Sequence, residues 1–371
     1  MESNIHYAIG LMSGTSMDGT DAVCVRFVNH NFDKVIAHKF LAFDAKLRSQ
    51  LLSLQTVGDD EINRTQRLAQ TLTYHYAEVV HNLLQLDDMK NIPIEAIACH
   101  GQTIRHAPQL GYSVQLADWA LLAEITQLPV VGDFRATDIA AGGQGAPLVP
   151  IFHHQLFFNH EQTCAVVNIG GIANLTILHK NGTISGFDTG PGNMLIDEYC
   201  RLHFACDYDD DGKIARQGEI LEDLLESWLQ EDYFSWSPPK STGRDLFSFT
   251  WAKQVLRGDE NPYNVLRTLT ELTAMSIANA VKKYADDAKQ VLLCGGGTYN
   301  SFLCERISNL LPNCKICDTA QYGLPAMYVE SSAFAWFAHC RVHKIALNLS
   351  NITGSKGKRV LGAMWDCIST E

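Results

Sequence analysis

The chain has 371 residues, of which 46% are hydrophobic and 19% are charged, so it can bury a large core and is neither disordered nor of low complexity. This length predicts about two domains. The formal net charge is −12 and no basic run exceeds the tetrad at 356–359, which argues against a surface that binds nucleic acid.

Short β-branched runs alternate with longer helical patterns, which predicts an α/β fold. The first half opens with a strand, a glycine-rich turn and a second strand between Tyr7 and Val28. The next predicted elements are helices at 45–56 and 60–88, a buried strand at 94–99, a helix at 116–125 and a strand at 130–131. The densest cluster of glycine and proline lies between residues 140 and 150, where we expect the domain junction.

After this junction the pattern begins again, with a strand, a Gly-Gly turn and a strand from Cys164 to Leu178. The elements predicted next are a strand at 184–187, helices at 193–205, 218–230, 247–257 and 264–285, a buried strand at 291–294 and an apolar helix at 329–345. A hairpin bent at glycines thus opens each half. We predict two related domains, residues 1–140 and 141–371, with the option that the last helix packs back on the first domain. Duplicated α/β domains usually bind a ligand in the cleft between them.

Three features predict a cytoplasmic protein without a membrane partner. No apolar stretch reaches the roughly 20 residues of a membrane span. The N-terminus lacks the cationic region of a secretory signal. The eleven cysteines are scattered through apolar runs, so we expect reduced core residues instead of a disulfide framework.

Two residue pairs have spacings that metal sites use. Cys314 and Cys317 form a C-x-x-C pair, but no second pair or nearby histidine accompanies them, so a zinc site is not predicted. His339 and His343 share one face of a predicted helix, and the sequence places no acidic ligand next to them. We therefore predict no metal there.

The loop between the first two strands has the composition of a phosphate-binding site. Glycine lets backbone N–H groups approach an anion, and Ser and Thr hydroxyls add donors. A carboxylate beside a polyphosphate indicates a divalent cation between them, so Asp18 is the candidate ligand, directly or through water. The alternative is a hairpin turn in which Asp-Gly supplies only turn geometry. The candidate residues are Gly14, Thr15, Ser16, Met17, Asp18, Gly19, Thr20 and Asp21.

The second hairpin repeats this logic with Gly170 and Gly171 at its bend and Asn174 beyond it. Paired glycines in a strand also mark bulges, so this hairpin predicts phosphate binding only because it repeats the first one. Gly295, Gly296 and Gly297 follow a buried strand and are candidates for an adenosine platform, with a flexible turn as the alternative.

Asp188 lies at the end of a strand, within the segment Gly186–Asn193. A strand would hold its carboxylate in the cleft, where an ordered base is needed. The alternative is a structural role, in which Asp188 caps its own turn by accepting from Gly190 N–H. The chain has no Walker A loop, kinase catalytic loop, nucleophile elbow or Rossmann fingerprint.

These features together resemble the actin, Hsp70 and sugar-kinase superfamily. Five motifs are similar to those of the anhydro-N-acetylmuramic acid kinase family: Gly10–Asp21, Cys99–Thr103, Gly132–Arg135, Asn168–Asn174 and Asp188–Asn193. The resemblance implies two actin-like (ribonuclease H-like) domains with the active site in the cleft between them. It also implies ATP and Mg²⁺, with Asp18 toward the metal.

The resemblance further implies a reaction and its residues. Water opens the 1,6-anhydro bridge of 1,6-anhydro-N-acetylmuramic acid at C1, O6 takes the γ-phosphoryl group of ATP, and Asp188 is the base that activates the water. The implied sugar contacts are Arg135, through a forked bond to the lactyl carboxylate, with Glu330 and His100. Alternatives stay open for two of these residues: His100 as a buried structural histidine, and Arg135 as a partner of Asp133 or Asp138.

Two other functions are compatible with the motifs. One is another sugar or carboxylate kinase of the same fold, in which Asp188 deprotonates a substrate hydroxyl directly. The other is a non-metabolic ATPase module of the actin or chaperone kind, which would need partner-binding extensions that this length hardly provides. The sequence leaves a homodimer open, because the late apolar helix with Phe334 and Trp336 suits either a core or an interface.

Overall fold

A computed structural model of the protein describes residues 4–14, 16–244 and 246–367. The chain forms two compact units, the first made of residues 1–156 and 328–371 and the second of residues 157–327. In the described residues, no helix combines the length and the apolar character that crossing a membrane requires.

The strands are, in chain order, β1 (Ile5–Met12), β2 (Gly19–Val28), β3 (Asn31–Ala42), β4 (Ile94–Cys99), β5 (Gln102–Ala107), β6 (Tyr112–Leu116), β7 (Val130–Gly132), β8 (Cys164–Ile169), β9 (Ile172–Leu178), β10 (Ile184–Pro191), β11 (Gln290–Cys294), β12 (Lys315–Asp318), β13 (Leu347–Asn348), β14 (Lys358–Arg359) and β15 (Ala363–Trp365). The α-helices are α1 (Ala45–Ser53), α2 (Glu61–Leu84), α3 (Trp119–Thr126), α4 (Phe134–Ala140), α5 (Pro150–Phe157), α6 (Met194–His203), α7 (Glu222–Leu229), α8 (Asp232–Ser235), α9 (Phe249–Ala252), α10 (Pro262–Tyr284), α11 (Ser301–Leu310) and α12 (Val329–Val342).

The sheet of the first unit has the strand order β15-β7-β4-β1-β2-β3. Strands β1 to β3 form an antiparallel meander, and β4 and β7 add to it in parallel. Helix α2 buries Leu72, Tyr76 and Val80, which recur every four residues and so face the core. Helix α12 packs on β1 so closely that a Cβ added to Gly10 would lie 1.9 Å from the Ser331 carbonyl oxygen.

The sheet of the second unit repeats this plan with the order β10-β9-β8-β11-β12. Strands β8 to β10 form the antiparallel meander, and β11 and β12 are parallel to β8. Helix α10, with residues such as Ala274, Ile277 and Val281 buried, supplies much of its core. The predicted fold class, α/β with two related actin-like (ribonuclease H-like) domains, is confirmed; the cleft between them stays a prediction.

The first unit extends past the predicted division at residue 140, and it also includes the last helix, which the option stated above allows. Helix α5 belongs to the first unit up to Leu156, where the Phe152 ring lies 5.8 Å from Phe32 and 5.7 Å from Trp336. Helix α12 and the residues after it also belong to the first unit. Glycine and proline between residues 140 and 150 therefore mark a loop within that unit.

Several elements lie where no element is predicted. In strand β3, at the edge of the sheet, Asp33, Lys34 and Lys39 interrupt the alternation of apolar and polar side chains by which a strand is predicted. The β5-β6 hairpin and helices α4, α5 and α11 are short, so their periodicity is weak. Cys317 lies buried in β12 and Cys314 just before it, and all eleven cysteines are free.

Candidate active site

The first candidate set lies at the carboxyl end of β1. Strands β1 and β2 pair up to Met12 opposite Asp21, so the residues between them close the hairpin. Met17 N–H donates to the Gly14 carbonyl oxygen at 3.2 Å, and the Gln102 side-chain amide donates to the same oxygen at 3.1 Å. Gln102, which sequence reasoning did not single out, thus holds the loop against β5. Thr15 lies outside the described residues.

Polar side chains of this loop fall into an exposed and a buried group. Asp18 is exposed and accepts a hydrogen bond from the Ser16 hydroxyl at 2.8 Å. Asp21 is half-buried, its Oδ1 lies 2.8 Å from Nε2 of His38, and burial raises the pKa of its carboxyl. Thr20 is fully buried, and its hydroxyl finds no partner among the described residues. Of the two carboxylates in this loop, only that of Asp18 is thus exposed.

His100 and Arg135 form one side-chain pair in the first unit. Arg135 donates from Nε and Nη2 to Nε2 of His100, at 3.2 and 2.9 Å, and from Nη1 to the Gly145 carbonyl oxygen at 2.6 Å. Burial, with the adjacent guanidinium, holds the pKa of His100 well below 6.5. His100 is therefore neutral and accepts from Arg135. Asp138 accepts from Gly145 N–H and from the Thr353 hydroxyl, both at 2.7 Å.

Helix α12 brings the third predicted sugar contact toward this pair. Glu330 is half-buried in the first turn of α12. Phe334, one turn later on the same helix face, has its ring 4.7 Å from the His100 ring. The structure thus gathers His100, Arg135 and the start of α12 in one region, although they are far apart in sequence.

Three glycine segments of the second unit meet at the end of β8. Gly192 N–H donates to the Gly171 carbonyl at 2.9 Å, and Asn193 N–H donates to the Gly170 carbonyl at 2.8 Å. Gly297 is packed so tightly that an added Cβ would lie 2.3 Å from the Ile169 side chain. The second hairpin, the segment after β10 and the segment after β11 therefore share one place, with Gly295 and Gly296 preceding Gly297.

Asp188 is held beside this place by contacts to three parts of its surroundings. It lies opposite Asn174 in the β9-β10 pairing, so the two side chains share one face of the sheet. Thr242 N–H donates to Oδ2 of Asp188 at 3.0 Å, and the Tyr233 hydroxyl donates to its carbonyl oxygen at 2.7 Å. Asp188 as a whole residue is 8% exposed, so contacts with the protein mainly fix the orientation of its carboxylate. Asn174 Oδ1 is buried and finds no partner in the described ranges.

The segment from Tyr233 to Thr242 is, with Gln102, a part of the site that sequence reasoning missed. Lys240 donates to the Tyr233 carbonyl oxygen at 2.9 Å and lies 4.4 Å above the Tyr233 ring. Burial lowers the pKa of Lys240 to about 8, and nearby Asp188 opposes this shift. The signal available was the polar run Lys240–Gly243 between two predicted helices.

A family model and curated relatives agree on the family of this chain. A family model described as anhydro-N-acetylmuramic acid kinase matches residues 6–367. A protein of that name from Neisseria meningitidis serogroup C (strain 053442) is 46% identical over 364 residues, 98% of this chain and 99% of the relative. Another from Nitrosomonas europaea is 45% identical over 361 residues, 97% of this chain and 99% of the relative. Among solved structures, an activator of a 2-hydroxyisocaproyl-CoA dehydratase from Clostridium difficile is similar with a TM-score of 0.46 and 13% identity, over 92% of this chain and 98% of that chain. Because the family match spans both units and nearly the whole of each curated relative, the chain belongs to the anhydro-N-acetylmuramic acid kinase family and is a kinase.

Proposed function

We propose that this kinase hydrolytically opens 1,6-anhydro-N-acetylmuramic acid and phosphorylates O6, giving N-acetylmuramic acid 6-phosphate and ADP in peptidoglycan recycling. The relatives' shared name supports the substrate. The observation that carries the mechanism is the Asp188 carboxylate, oriented by Thr242 N–H beside converging glycine segments.

In the proposed reaction Asp188 is the catalytic base. A water molecule gives its proton to the Asp188 carboxylate and attacks C1 of the sugar. The bond from C1 to O6 breaks, and O6 takes the γ-phosphoryl group of ATP as the bond from that phosphorus to the bridging oxygen of ADP breaks. A base held by protein contacts lowers the barrier because no reorganisation is needed when the proton moves.

ATP is the phosphoryl donor, as for kinases of this superfamily. We propose that the hairpin after β1 and the Gly170-Gly171 hairpin both hold its phosphates, and that the Gly295–Gly297 segment holds the adenosine. Backbone N–H groups at glycines bind such anions without bringing a side-chain charge. This matters in a chain whose net charge of −12 repels its own anionic substrates.

Mg²⁺ fits the donors of the first hairpin. The exposed Asp18 carboxylate, with the Ser16 hydroxyl 2.8 Å away, offers the hard oxygen atoms that this cation prefers, directly or through water. When bound, Mg²⁺ neutralises charge on the transferred phosphoryl group.

The sugar is proposed to lie against the His100–Arg135 pair and Glu330. Arg135 forks toward the lactyl carboxylate, which needs a guanidinium held in one plane. Neutral His100 accepts hydrogen bonds from Nε and Nη2 of Arg135 and so fixes the plane of the guanidinium. We also propose that the reaction occurs in the cytoplasm, where ATP is available, and that the protein has no nucleic acid partner. Light scattering would test whether the protein forms a homodimer.

The test combines a variant with isotope labelling. Asp188→Asn is expected to keep ATP binding and to lose turnover by several orders of magnitude, because the amide cannot take the proton. Asp223→Asn, an exposed carboxylate on α7, is the matched control and is expected to behave as wild type. In ¹⁸O-labelled water, the label is expected at C1 of the sugar product.

Three results would contradict the proposal. Near-normal turnover of Asp188→Asn would show that Asp188 is not the catalytic base. Label only in phosphate, with ADP release independent of the sugar, would favour the ATPase module. Label absent from C1 with a phosphorylated product would favour a kinase in which Asp188 deprotonates a substrate hydroxyl.

A further inference from the structure

A second cluster of chemically active side chains lies in the first unit, apart from the candidate active-site residues. It contains His6 at the start of β1, Glu95 at the start of β4, and His339 and His343 on α12. Each can offer one ligand atom, and these four atoms lie within 4.8 Å of one another. The prediction that His339 and His343 lack an acidic neighbour is wrong, because the fold brings Glu95 to them from more than 240 positions away.

The three imidazoles aim a ring nitrogen at the same carboxylate. His339 Nδ1 lies 2.5 Å from Oε1 of Glu95, and His343 Nε2 lies 3.0 Å from Oε2. His6 Nδ1 lies 3.2 Å from Oε2. The ring of His343 is 4.4 Å from each of the other two rings. Three imidazole rings and one carboxylate therefore converge on one point, and imidazole is the commonest metal ligand among side chains.

Burial, ring stacking and a hydrogen bond from outside the cluster fix the orientation of these rings, as in metal sites. His339 is fully buried and stacks on Phe27 at 4.6 Å. Its other nitrogen, Nε2, lies 3.0 Å from Nδ1 of His30, which fixes the ring orientation from outside the cluster. His6 Nε2 is buried and finds no partner among the residues described.

We propose that His6, Glu95, His339 and His343 bind one divalent transition-metal ion, Zn²⁺ before others. Imidazole nitrogen and carboxylate oxygen suit zinc, and three nitrogens with one oxygen complete its tetrahedral shell. A shell filled by protein has no open position for substrate, so the ion is structural. It ties α12 to β1 and β4.

The position of the cluster agrees with a structural role. His6 and Glu95 stand near the amino ends of the parallel strands β1 and β4, whereas the phosphate-binding candidates follow Met12 at the other end of β1. Met12 lies six positions after His6 along the strand, which is roughly 20 Å. The ion would therefore stabilise the first unit without touching the reacting atoms.

The test uses the full-length, untagged protein, because a histidine tag would bind the same metals. Protein stripped with a chelator is titrated with ZnCl₂ and, separately, with CoCl₂. We expect one Zn²⁺ per chain and a rise in Tm of about 5 to 10 °C at a hundredfold excess over Kd. Co²⁺ is expected to give the intense visible absorption of a tetrahedral site.

His343→Gln and Glu95→Gln are expected to weaken Zn²⁺ binding by about 100-fold or more and to abolish the Co²⁺ spectrum. His343 has 24% of its side chain exposed, so this variant is expected to fold. His38→Gln is the matched control, since His38 has 23% exposed and contacts one carboxylate without a second imidazole. Substoichiometric Zn²⁺, no change in Tm, or wild-type affinity in both ligand variants would overturn the proposal.

Discussion

Replacing Gly10 by alanine should separate helix α12 from strand β1. The added Cβ would lie 1.9 Å from the Ser331 carbonyl oxygen and 2.7 Å from the Ala335 nitrogen, where ordinary contact begins at 3.4 Å. Both neighbours are backbone atoms, so no rotamer change relieves the clash and the helix must move by about 1.5 Å at this point. Overpacking of this kind costs typically 1–3 kcal/mol, and we expect about 3 kcal/mol here.

The free energy of unfolding is measured by urea denaturation, and Tm by calorimetry. A loss of about 3 kcal/mol in a unit of this size corresponds to a fall in Tm of roughly 6 to 12 °C. Gly58→Ala is the matched control, because its added Cβ would meet only the end of the flexible Arg64 side chain. If Gly10→Ala lost less than about 1 kcal/mol, the close packing of α12 on β1 would be refuted.

Three further predictions concern the candidate site. Thr242→Pro removes the N–H that orients Asp188 and is expected to lower kcat about 10- to 100-fold, whereas Thr242→Ala keeps that N–H and should stay near wild type; equal losses would contradict the role of the bond. Arg135→Lys is expected to raise KM for the sugar about tenfold or more with KM for ATP unchanged, and the difference should vanish for an analogue without the lactyl carboxylate. The pKa of His100 is lower in the folded protein than in the unfolded chain. Its contribution to the free energy of unfolding is therefore present above about pH 6.5 and is lost as the pH falls. Urea titrations at pH 7 and pH 5 should therefore show that wild type loses more of its free energy of unfolding than His100→Gln does, and equal losses would contradict a neutral His100.

Local patterns were predictable from the sequence, and long-range contacts were not. The hairpins at Gly14 and at Gly170 are each encoded within a few residues, so their strands and turns could be placed. The strand that carries Asp188 was placed too, because β-branched residues and glycines mark its ends.

The partners of these residues come from distant segments. Thr242 reaches Asp188 from 54 positions away, and Gln102 reaches Gly14 from 88. No periodicity links such segments, since only the tertiary packing brings them together. The same reason explains why the contact of Glu95 with His339 was missed.

Helix α12 has a consequence for synthesis of the protein. The chain leaves the first unit after residue 156 and returns to it only at residue 328. Ribosomes add about 5–20 residues per second, so the intervening segment takes about 10 to 30 s to make. During that time β1 and β4 lack the helix that covers one of their faces, while the second unit, which is continuous, can complete its own sheet first. The nascent first unit therefore exposes an apolar surface until α12, residues 329–342, has been made.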